Sequence, residues 1–295
     1  MDHILAWGLN VIAYLGKLHT PFLDKFFYAA TELGSEGFYL VLIPALLWCV
    51  DFAFTARLSV LFIFSVYFNF CFKNLLRQPR PFDLVPDITT AREAGYGIPS
   101  GHSQSSLVVW VMIASYIKKT WFWILAILII LLIAFSRLYL GVHFPTDVLG
   151  GWVLGGILLL IYFLFHDKVE RWLSVLKLGM QVFLAFLIPL VFIFIHPVKE
   201  TVAAMAVLSG AGTGLAFMYR YVGFKADGML IQKILRFLVG ILTVFIIYYG
   251  LKYIFPEEEH RLYLLFRFIR YWVIGIWVIL GAPYLFKVFK LADKG

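Results

Sequence analysis

Long apolar segments recur along this chain, and they restrict it to the folds that a membrane allows. A membrane-crossing helix needs about 20 mostly apolar residues. Nine segments reach or approach that length: 37–54, 57–74, 103–117, 121–140, 147–165, 178–196, 201–219, 230–254 and 263–286. The sequence therefore predicts an all-α polytopic membrane protein, a helical bundle with about nine transmembrane helices.

The composition excludes an ordinary soluble domain. Hydrophobic residues make up 62% of the 295 residues and charged residues only 14%, whereas a soluble domain is about half apolar and about a quarter charged. The net charge of +8 does not indicate a nucleic-acid partner, because membrane proteins concentrate Lys and Arg in their cytoplasmic loops. No basic recognition fold is evident in the sequence either.

The distribution of Lys and Arg predicts how the chain is oriented in a lipid bilayer. With the polar stretches 73–101 and 137–147 set aside, thirteen cationic residues fall on one side of the predicted spans and five on the other. Because cytoplasmic loops carry the excess, both polar stretches should face outward and the C-terminus should face the cytoplasm. Residues 1–36 lack the pattern of a signal peptide, and we expect them to form an extracytoplasmic interfacial segment.

The first of three polar motifs, KNLLRQPRP, ends the second predicted span. It places Lys73 and Arg80 seven residues apart, and we expect Pro81 to stop the helix directly after Arg80. Arginine offers a planar fork that suits phosphate, and lysine adds a point charge. Taken alone, the motif is equally compatible with two cations that only anchor a helix at the membrane interface.

The second motif, GIPSGHSQ, stands immediately before the third span. Ser100 is a good N-cap residue, and a helix start offers free N–H groups and the positive end of a dipole. Gly101 lets the backbone approach an anion closely, and His102 would stand beside that anion. A plain capped helix whose histidine meets lipid headgroups is the alternative interpretation.

The third motif, SRLYLGVHFPTD, connects the fourth and fifth spans. Arg137 closes one span, Gly141 interrupts the chain, and Pro145 is placed to begin the next helix. His143 and Asp147 lie four residues apart across the turn, so a hydrogen bond between them is expected. Such a bond fixes the tautomer of a histidine and raises the basicity of its other ring nitrogen.

The three motifs converge, because all of them are predicted to lie at the outer ends of neighbouring spans. Three cations, a helix start and two histidines are the groups that phosphoryl transfer through a phosphohistidine requires. In the order K-x6-R-P, P-S-G-H and S-R-x5-H-x3-D, the motifs resemble the tripartite signature of the type 2 phosphatidic acid phosphatase (PAP2) superfamily. The resemblance covers residues 37–165 and has no departure from the signature.

This resemblance implies a PAP2/haloperoxidase-like catalytic core over 37–170, followed by C-terminal helices over 171–295 with no assigned role. It also implies His143 as nucleophile, Asp147 as its orienting partner and His102 as general acid for the leaving group. The residues implied to bind phosphate are Lys73, Arg80, Ser100, Gly101 and Arg137. No metal or other cofactor is implied, and no cluster of carboxylates surrounds the two histidines in the sequence.

We therefore expect a metal-independent hydrolase that removes a phosphomonoester or pyrophosphate group from a lipid at the extracytoplasmic face of a bacterial or archaeal cell membrane. Two enzymatic alternatives stay open: a phosphotransferase with a lipid or sugar acceptor, and a phosphatase of a soluble sugar phosphate. The second follows from a topology similar to the glucose-6-phosphatase and sphingosine-1-phosphate phosphatase branches. A carrier that only binds phosphate, and assembly into a homo-oligomer, also stay open.

Overall fold

A computed structural model describes residues 3–89 and 91–292. Lys294, one of the cations counted on the predicted cytoplasmic side, lies outside the described residues. Regular structure in the described part of the chain is helical throughout, which confirms the all-α class. The α-helices are α1 (His3–Gly16), α2 (Pro21–Glu32), α3 (Glu36–Cys49), α4 (Phe52–Leu76), α5 (Pro81–Leu84), α6 (Gly101–Ile117), α7 (Thr120–Tyr139), α8 (Pro145–Ser174), α9 (Leu178–Ile195), α10 (Lys199–Phe217), α11 (Leu230–Ile254), α12 (Tyr263–Ile276) and α13 (Ala282–Val288).

The number of membrane-crossing helices agrees roughly with the predicted nine. Seven helical segments within 3–89 and 91–292 are long and apolar enough to cross a membrane, and the bent pair α2–α3, with 48° between its halves, makes up to eight. Helix α6, with 17 residues, coincides with the predicted short third span but is not among these segments. The chain is therefore a multi-pass membrane protein.

The helices group into two compact units. The first unit comprises Met1–Tyr39 and Phe68–Leu164, and the second comprises Leu40–Tyr67 and Phe165–Gly295. All three polar motifs lie in the first unit. The N-terminal helices α1 and α2 belong to the same unit, where they pack on α7.

Glycines determine how closely the helices of the first unit pack. A β-carbon on Gly151 of α8 would lie 2.6 Å from the carbonyl oxygen of Ser100, and one on Gly155 would lie 3.2 Å from the carbonyl oxygen of Gln104. Two small residues four positions apart on one helix let a neighbouring helix approach closely. The contact holds the start of α8 against the start of α6, which brings the second and third motifs together.

The second unit has its own core, built around Trp48. The Trp48 ring is fully buried, packs edge-on against Phe286, and donates a hydrogen bond from its indole N–H to the carbonyl oxygen of Val278 at 3.0 Å. Gly240 of α11 lies directly against the same ring. Helix α10 packs against α9 and α12 and contributes many of the buried residues of this unit.

One local expectation about the first motif is wrong. Helix α4 ends at Leu76 rather than at Arg80, and Arg77 adopts a left-handed conformation with φ of 50°. Pro81 begins the short helix α5, and Arg80 is its N-cap residue. The fixed φ and missing N–H of proline suit the first position of a helix, so Pro81 begins α5 and does not end α4.

Candidate active site

Arg80 is the most extensively bonded cation of the site. Its backbone is extended at the start of α5, and its side chain is only 3% exposed. The guanidinium donates to the carbonyl oxygens of Gly95 at 2.8 Å, Ala94 at 3.2 Å and Val142 at 3.0 Å. These bonds hold the planar group rigidly, with its Nη1 atom 3.3 Å from Nε2 of His143.

A second buried arginine, Arg137, lies near Arg80, and one carboxylate bridges the two. Oε2 of Glu93 accepts from Nη1 of Arg80 at 2.9 Å, and Oε1 of Glu93 accepts from Nη2 of Arg137. Arg137 also donates to the hydroxyl oxygen of Thr31 at 2.6 Å. Burial alone would raise the pKa of Glu93, but Arg137 and Arg80 outweigh it and lower this pKa to about 2. Glu93 is therefore a full anion at any ordinary pH.

His143 is held between this arginine pair (Arg80 and Arg137) and a buried carboxylate. Its Nδ1 atom lies 3.1 Å from Oδ2 of Asp147, which is the hydrogen bond that the four-residue spacing predicts. A carboxylate accepts only, so Nδ1 carries the proton and the lone pair of Nε2 faces Arg80. Burial lowers the pKa of His143 well below 6.5, and the nearby Arg80, Arg137 and Lys73 lower it further. The imidazole is therefore neutral at neutral pH.

Asp147 is itself fixed by three neighbours. Its Oδ2 atom accepts from the backbone N–H of Phe144 at 2.9 Å, and its Oδ1 atom accepts from the side chain of Gln78 at 2.6 Å. Its backbone carbonyl accepts from the N–H of Ser100 at 2.9 Å. Asp147 is thus tied to the first motif through its carboxylate and to the second through its backbone carbonyl.

The start of α6 has the geometry expected of an anion-binding helix end. Ser100 is the N-cap residue, and its hydroxyl accepts from the N–H of Ser103 at 3.4 Å. Asn69 of α4 donates to the carbonyl oxygen of Pro99 at 3.2 Å and to the side chain of Gln104 at 2.7 Å. Asn69 also packs against Gly101, where a β-carbon would lie 3.4 Å from its amide oxygen.

Lys73 and His102 complete the predicted set. The ammonium group of Lys73 donates to the carbonyl oxygens of Tyr96 at 2.5 Å and Gly97 at 3.3 Å, at the base of the polar loop. The half-buried ring of His102 lies beside the segment between α2 and α3, where a β-carbon on Gly34 would be 3.2 Å from its Cδ2. His102 is close enough to both arginines and to Glu93 to interact with them electrostatically.

The structure thus brings all eight predicted residues into one region of the first unit, and it adds four that sequence reasoning missed. These are Thr31, Asn69, Gln78 and Glu93. Glu93 and Gln78 were visible in the polar stretch, but nothing in their spacing distinguishes them from solvated loop residues. Thr31 gives no signal, because its role depends on α2 packing beside α7.

The arrangement is suited to binding and attacking a tetrahedral oxyanion. Two guanidinium groups and a helix start offer donors for anionic oxygens, while a neutral, carboxylate-oriented imidazole offers a nucleophilic nitrogen. Within the described residues, no group of three or more His, Cys, Asp or Glu side chains is placed to hold a metal ion.

The fold and the site define an integral membrane protein in which buried cations, a helix start and an oriented histidine lie close together. Residues 54–171 match the family model of the PAP2 superfamily. Residues 202–294 match a second model, described as the transmembrane extension of PAP2 superfamily phosphatases. The chain belongs to the PAP2 superfamily, as the three motifs indicate.

Individual relatives support this assignment. Phosphatidylglycerophosphatase B of Bacillus subtilis is 32% identical over 171 residues, which cover 52% of this chain and 80% of the relative. Sphingosine-1-phosphate phosphatase 1 of Rattus norvegicus is 27% identical over 164 residues, 53% of this chain, but the chain spans only 38% of that relative's length. The crystal structure of a transmembrane PAP2 type phosphatidylglycerolphosphate phosphatase from Bacillus subtilis is 26% identical, with a TM-score of 0.51 over 58% of this chain and 90% of that one.

Proposed function

We propose that this protein is a metal-independent phosphatase that hydrolyses the phosphomonoester or pyrophosphate group of a lipid through a phosphohistidine. The observation that carries the proposal is the position of His143. One ring nitrogen is bound to Asp147 at 3.1 Å, and the other lies 3.3 Å from a guanidinium nitrogen of Arg80. A nucleophilic nitrogen directly beside an oxyanion-binding cation is what attack on phosphorus requires.

In the first step the lone pair of Nε2 of His143 attacks phosphorus, and the bond from phosphorus to the lipid oxygen breaks. His102, which takes up a proton when the anionic phosphate binds beside it, donates that proton to the leaving oxygen, which departs as a lipid alcohol or a lipid phosphate. Asp147 keeps the Nδ1 proton in place and stabilises the positive charge that develops on the ring. The three equatorial oxygens of the phosphoryl group are stabilised by Lys73, Arg80, Arg137 and the helix start at Ser100–Gly101.

In the second step a water molecule attacks the phosphohistidine and releases inorganic phosphate. His102, deprotonated by the first step, accepts a proton from this water, so both histidines return to their starting states. An alcohol in place of water would complete a phosphotransfer, so the hydrolase and the phosphotransferase share the first step.

A lipid substrate fits the surroundings of the site. The proposed catalytic residues lie at or near the ends of α4, α6 and α8, and α4 and α8 are long and apolar enough to cross a membrane. A headgroup at that level leaves the acyl or prenyl tail among apolar helices. The names of the relatives given above describe phosphatases of phosphorylated lipids. This favours a lipid substrate over a soluble sugar phosphate.

The charge distribution supports an outward-facing site. In the predicted topology, the excess of Lys and Arg falls on the side of the membrane opposite the polar loop. That side would be cytoplasmic, because cytoplasmic loops carry the excess of Lys and Arg. We therefore propose that phosphate is released on the extracytoplasmic side of a bacterial or archaeal membrane. A membrane-impermeant thiol reagent tests this orientation, because a cysteine introduced at exposed Asp87 should react in intact cells and one at exposed Lys168 should not.

Phosphate release from mixed micelles of detergent and lipid tests the activity. The full chain should release inorganic phosphate from lipid phosphates in the presence of a chelator, vanadate should inhibit it, and His143→Ala should abolish it. A second arm adds a lipid or sugar alcohol, and phosphate transfer to that acceptor would favour the phosphotransferase. Strict magnesium dependence, or full turnover by His143→Ala, would overturn the proposal.

A further inference from the structure

The second unit contains a buried arginine that the catalytic proposal does not use. Arg270 lies on α12, two turns inside a segment that is apolar enough to cross a membrane. It is only 7% exposed, and its Nε atom is buried with no hydrogen-bond partner among the described residues. A charged side chain inside a membrane span is costly unless something compensates for its charge.

The surroundings of Arg270 are aromatic rather than acidic. Its guanidinium carbon lies 5.7 Å from the ring centroid of Tyr248 and 5.3 Å from that of Tyr271. Ring faces attract a cation, but they accept no hydrogen bond in the plane of the guanidinium, where its five N–H groups point. No carboxylate forms an ion pair with Arg270 within residues 3–89 and 91–292.

Arg267, one turn nearer the start of α12, adds a second cation on the same face. Its guanidinium carbon lies 5.1 Å from the Tyr271 ring, so that one ring contacts both arginines. Unlike Arg270, Arg267 is already bonded to protein: it donates to the carbonyl oxygen of Lys199 at 2.7 Å and to the hydroxyl of Tyr263 at 2.8 Å. The buried arginine is therefore the one with unused donors.

We propose that Arg270, with Arg267 above it, binds the phosphate of an anionic phospholipid at a site separate from the catalytic histidines. A planar guanidinium matches two phosphate oxygens through parallel hydrogen bonds. Arg270 lies seven residues after Tyr263, about 10 Å along the helix, and its long side chain can extend back towards the interface where lipid phosphates lie. Exposed apolar side chains on α11 and α12, such as Tyr253, Ile254 and Leu265, offer surface for the acyl chains.

A lipid accounts for this site better than a dissolved anion does. A free anion would leave water and pass apolar residues to reach Arg270, whereas a phospholipid already holds its phosphate at the interface beside its own apolar tails. The carboxylates on the preceding turn, Glu257, Glu258 and Glu259, are exposed, and Glu258 is paired with Lys199 at 2.9 Å. They would repel a dissolved anion that approaches from the water side.

Lipid binding to the purified full chain tests the proposal without any catalytic readout. A fluorescent phosphatidylglycerol and a matched phosphatidylcholine are titrated into the delipidated protein in detergent. The wild type should bind phosphatidylglycerol more tightly, and Arg270→Gln should weaken that binding about tenfold, as expected for loss of a charged, two-point contact. Arg261→Gln, which removes an exposed charge from the turn before α12, should leave both affinities unchanged.

A conservative variant guards against loss of the fold. Arg270→Lys keeps the charge but removes the planar fork, so it should fold as the wild type does and bind phosphatidylglycerol several-fold more weakly. Size-exclusion chromatography and the melting temperature without lipid report whether each variant folds. Wild-type affinity for phosphatidylglycerol in the folded Arg270 variants, or an equal loss in Arg261→Gln, would overturn the proposal.

Discussion

Glu93 occupies the position between two arginines that the proposed mechanism gives to phosphate. Its carboxylate contacts the guanidinium groups of both Arg80 and Arg137, so a phosphate that binds there must displace it. Replacing Glu93 by Gln removes the competing charge while keeping the size of the side chain and an acceptor oxygen. The variant should therefore bind phosphate analogues more tightly than the wild type.

The size of this effect follows from the environment of Glu93. A hydrogen bond to a charged group contributes about 1.5–3 kcal/mol, and the lower end applies because the side chain is 31% exposed and partly screened by water. About 1.4 kcal/mol corresponds to a factor of ten. We expect Glu93→Gln to lower the inhibition constant of vanadate about tenfold. Because the pKa of Glu93 is about 2, the ratio should be constant between about pH 5 and pH 8.

The assay is inhibition of phosphate release by vanadate, measured for the wild type, Glu93→Gln and the control Asp87→Asn. Asp87 is an exposed carboxylate of the same loop, so its loss reports the general effect of one charge fewer. An inhibition constant that rises in Glu93→Gln would mean that Glu93 positions the arginines for phosphate rather than competing with it. An equal fall in both variants would also refute the reasoning.

Three further predictions concern catalysis, packing and acid stability. Asp147→Asn should lower kcat by about 10²–10⁴-fold with little change in KM, because the tautomer of His143 is no longer fixed. Steady-state phosphate release measures both constants, and an unchanged kcat would contradict the prediction. Gly151→Ala should destabilise the protein by about 1–3 kcal/mol, since the new β-carbon would lie 2.6 Å from the Ser100 carbonyl oxygen. The control Gly156→Ala should not lower the melting temperature, because its β-carbon would meet nothing within 4 Å. The depressed pKa of Glu93, about 2 against 4.5 when unperturbed, means that its stabilising contribution is complete above about pH 4.5 and is lost as the pH falls towards 2. The melting temperature of Glu93→Gln should accordingly fall less steeply with acid than that of the wild type, and parallel curves would argue against the ion pairs.

Features set by neighbouring residues were predictable from the sequence. The capping of α6 by Ser100 and the hydrogen bond from His143 to Asp147 depend on spacings of three and four residues, and both are present. The apolar segments predicted the helices in the same local way. A helix that crosses a lipid bilayer must be apolar over most of its length, and that pattern is visible in consecutive residues. The predicted start of α8 at Pro145 is also observed.

Features that depend on distant parts of the chain were not predictable. The bond from Arg137 to Thr31 joins residues 106 positions apart, and that from Gln78 to Asp147 joins residues 69 apart. The bridging role of Glu93 requires both arginines to be in place, and a loop carboxylate has no periodic pattern that reveals it. The end of α4 at Leu76 was missed because Pro81 was expected to stop α4, whereas it begins α5.

The central claim is that His143 attacks the phosphorus of a lipid phosphate, and trapping the intermediate tests it most directly. The full chain is mixed with a ³²P-labelled lipid phosphate, quenched in alkali within the first turnover, digested and sequenced by mass spectrometry. We expect acid-labile label on the peptide that contains His143, and none in His143→Ala. Rapid phosphate release with no label at His143, or label on the same peptide of the alanine variant, would contradict it.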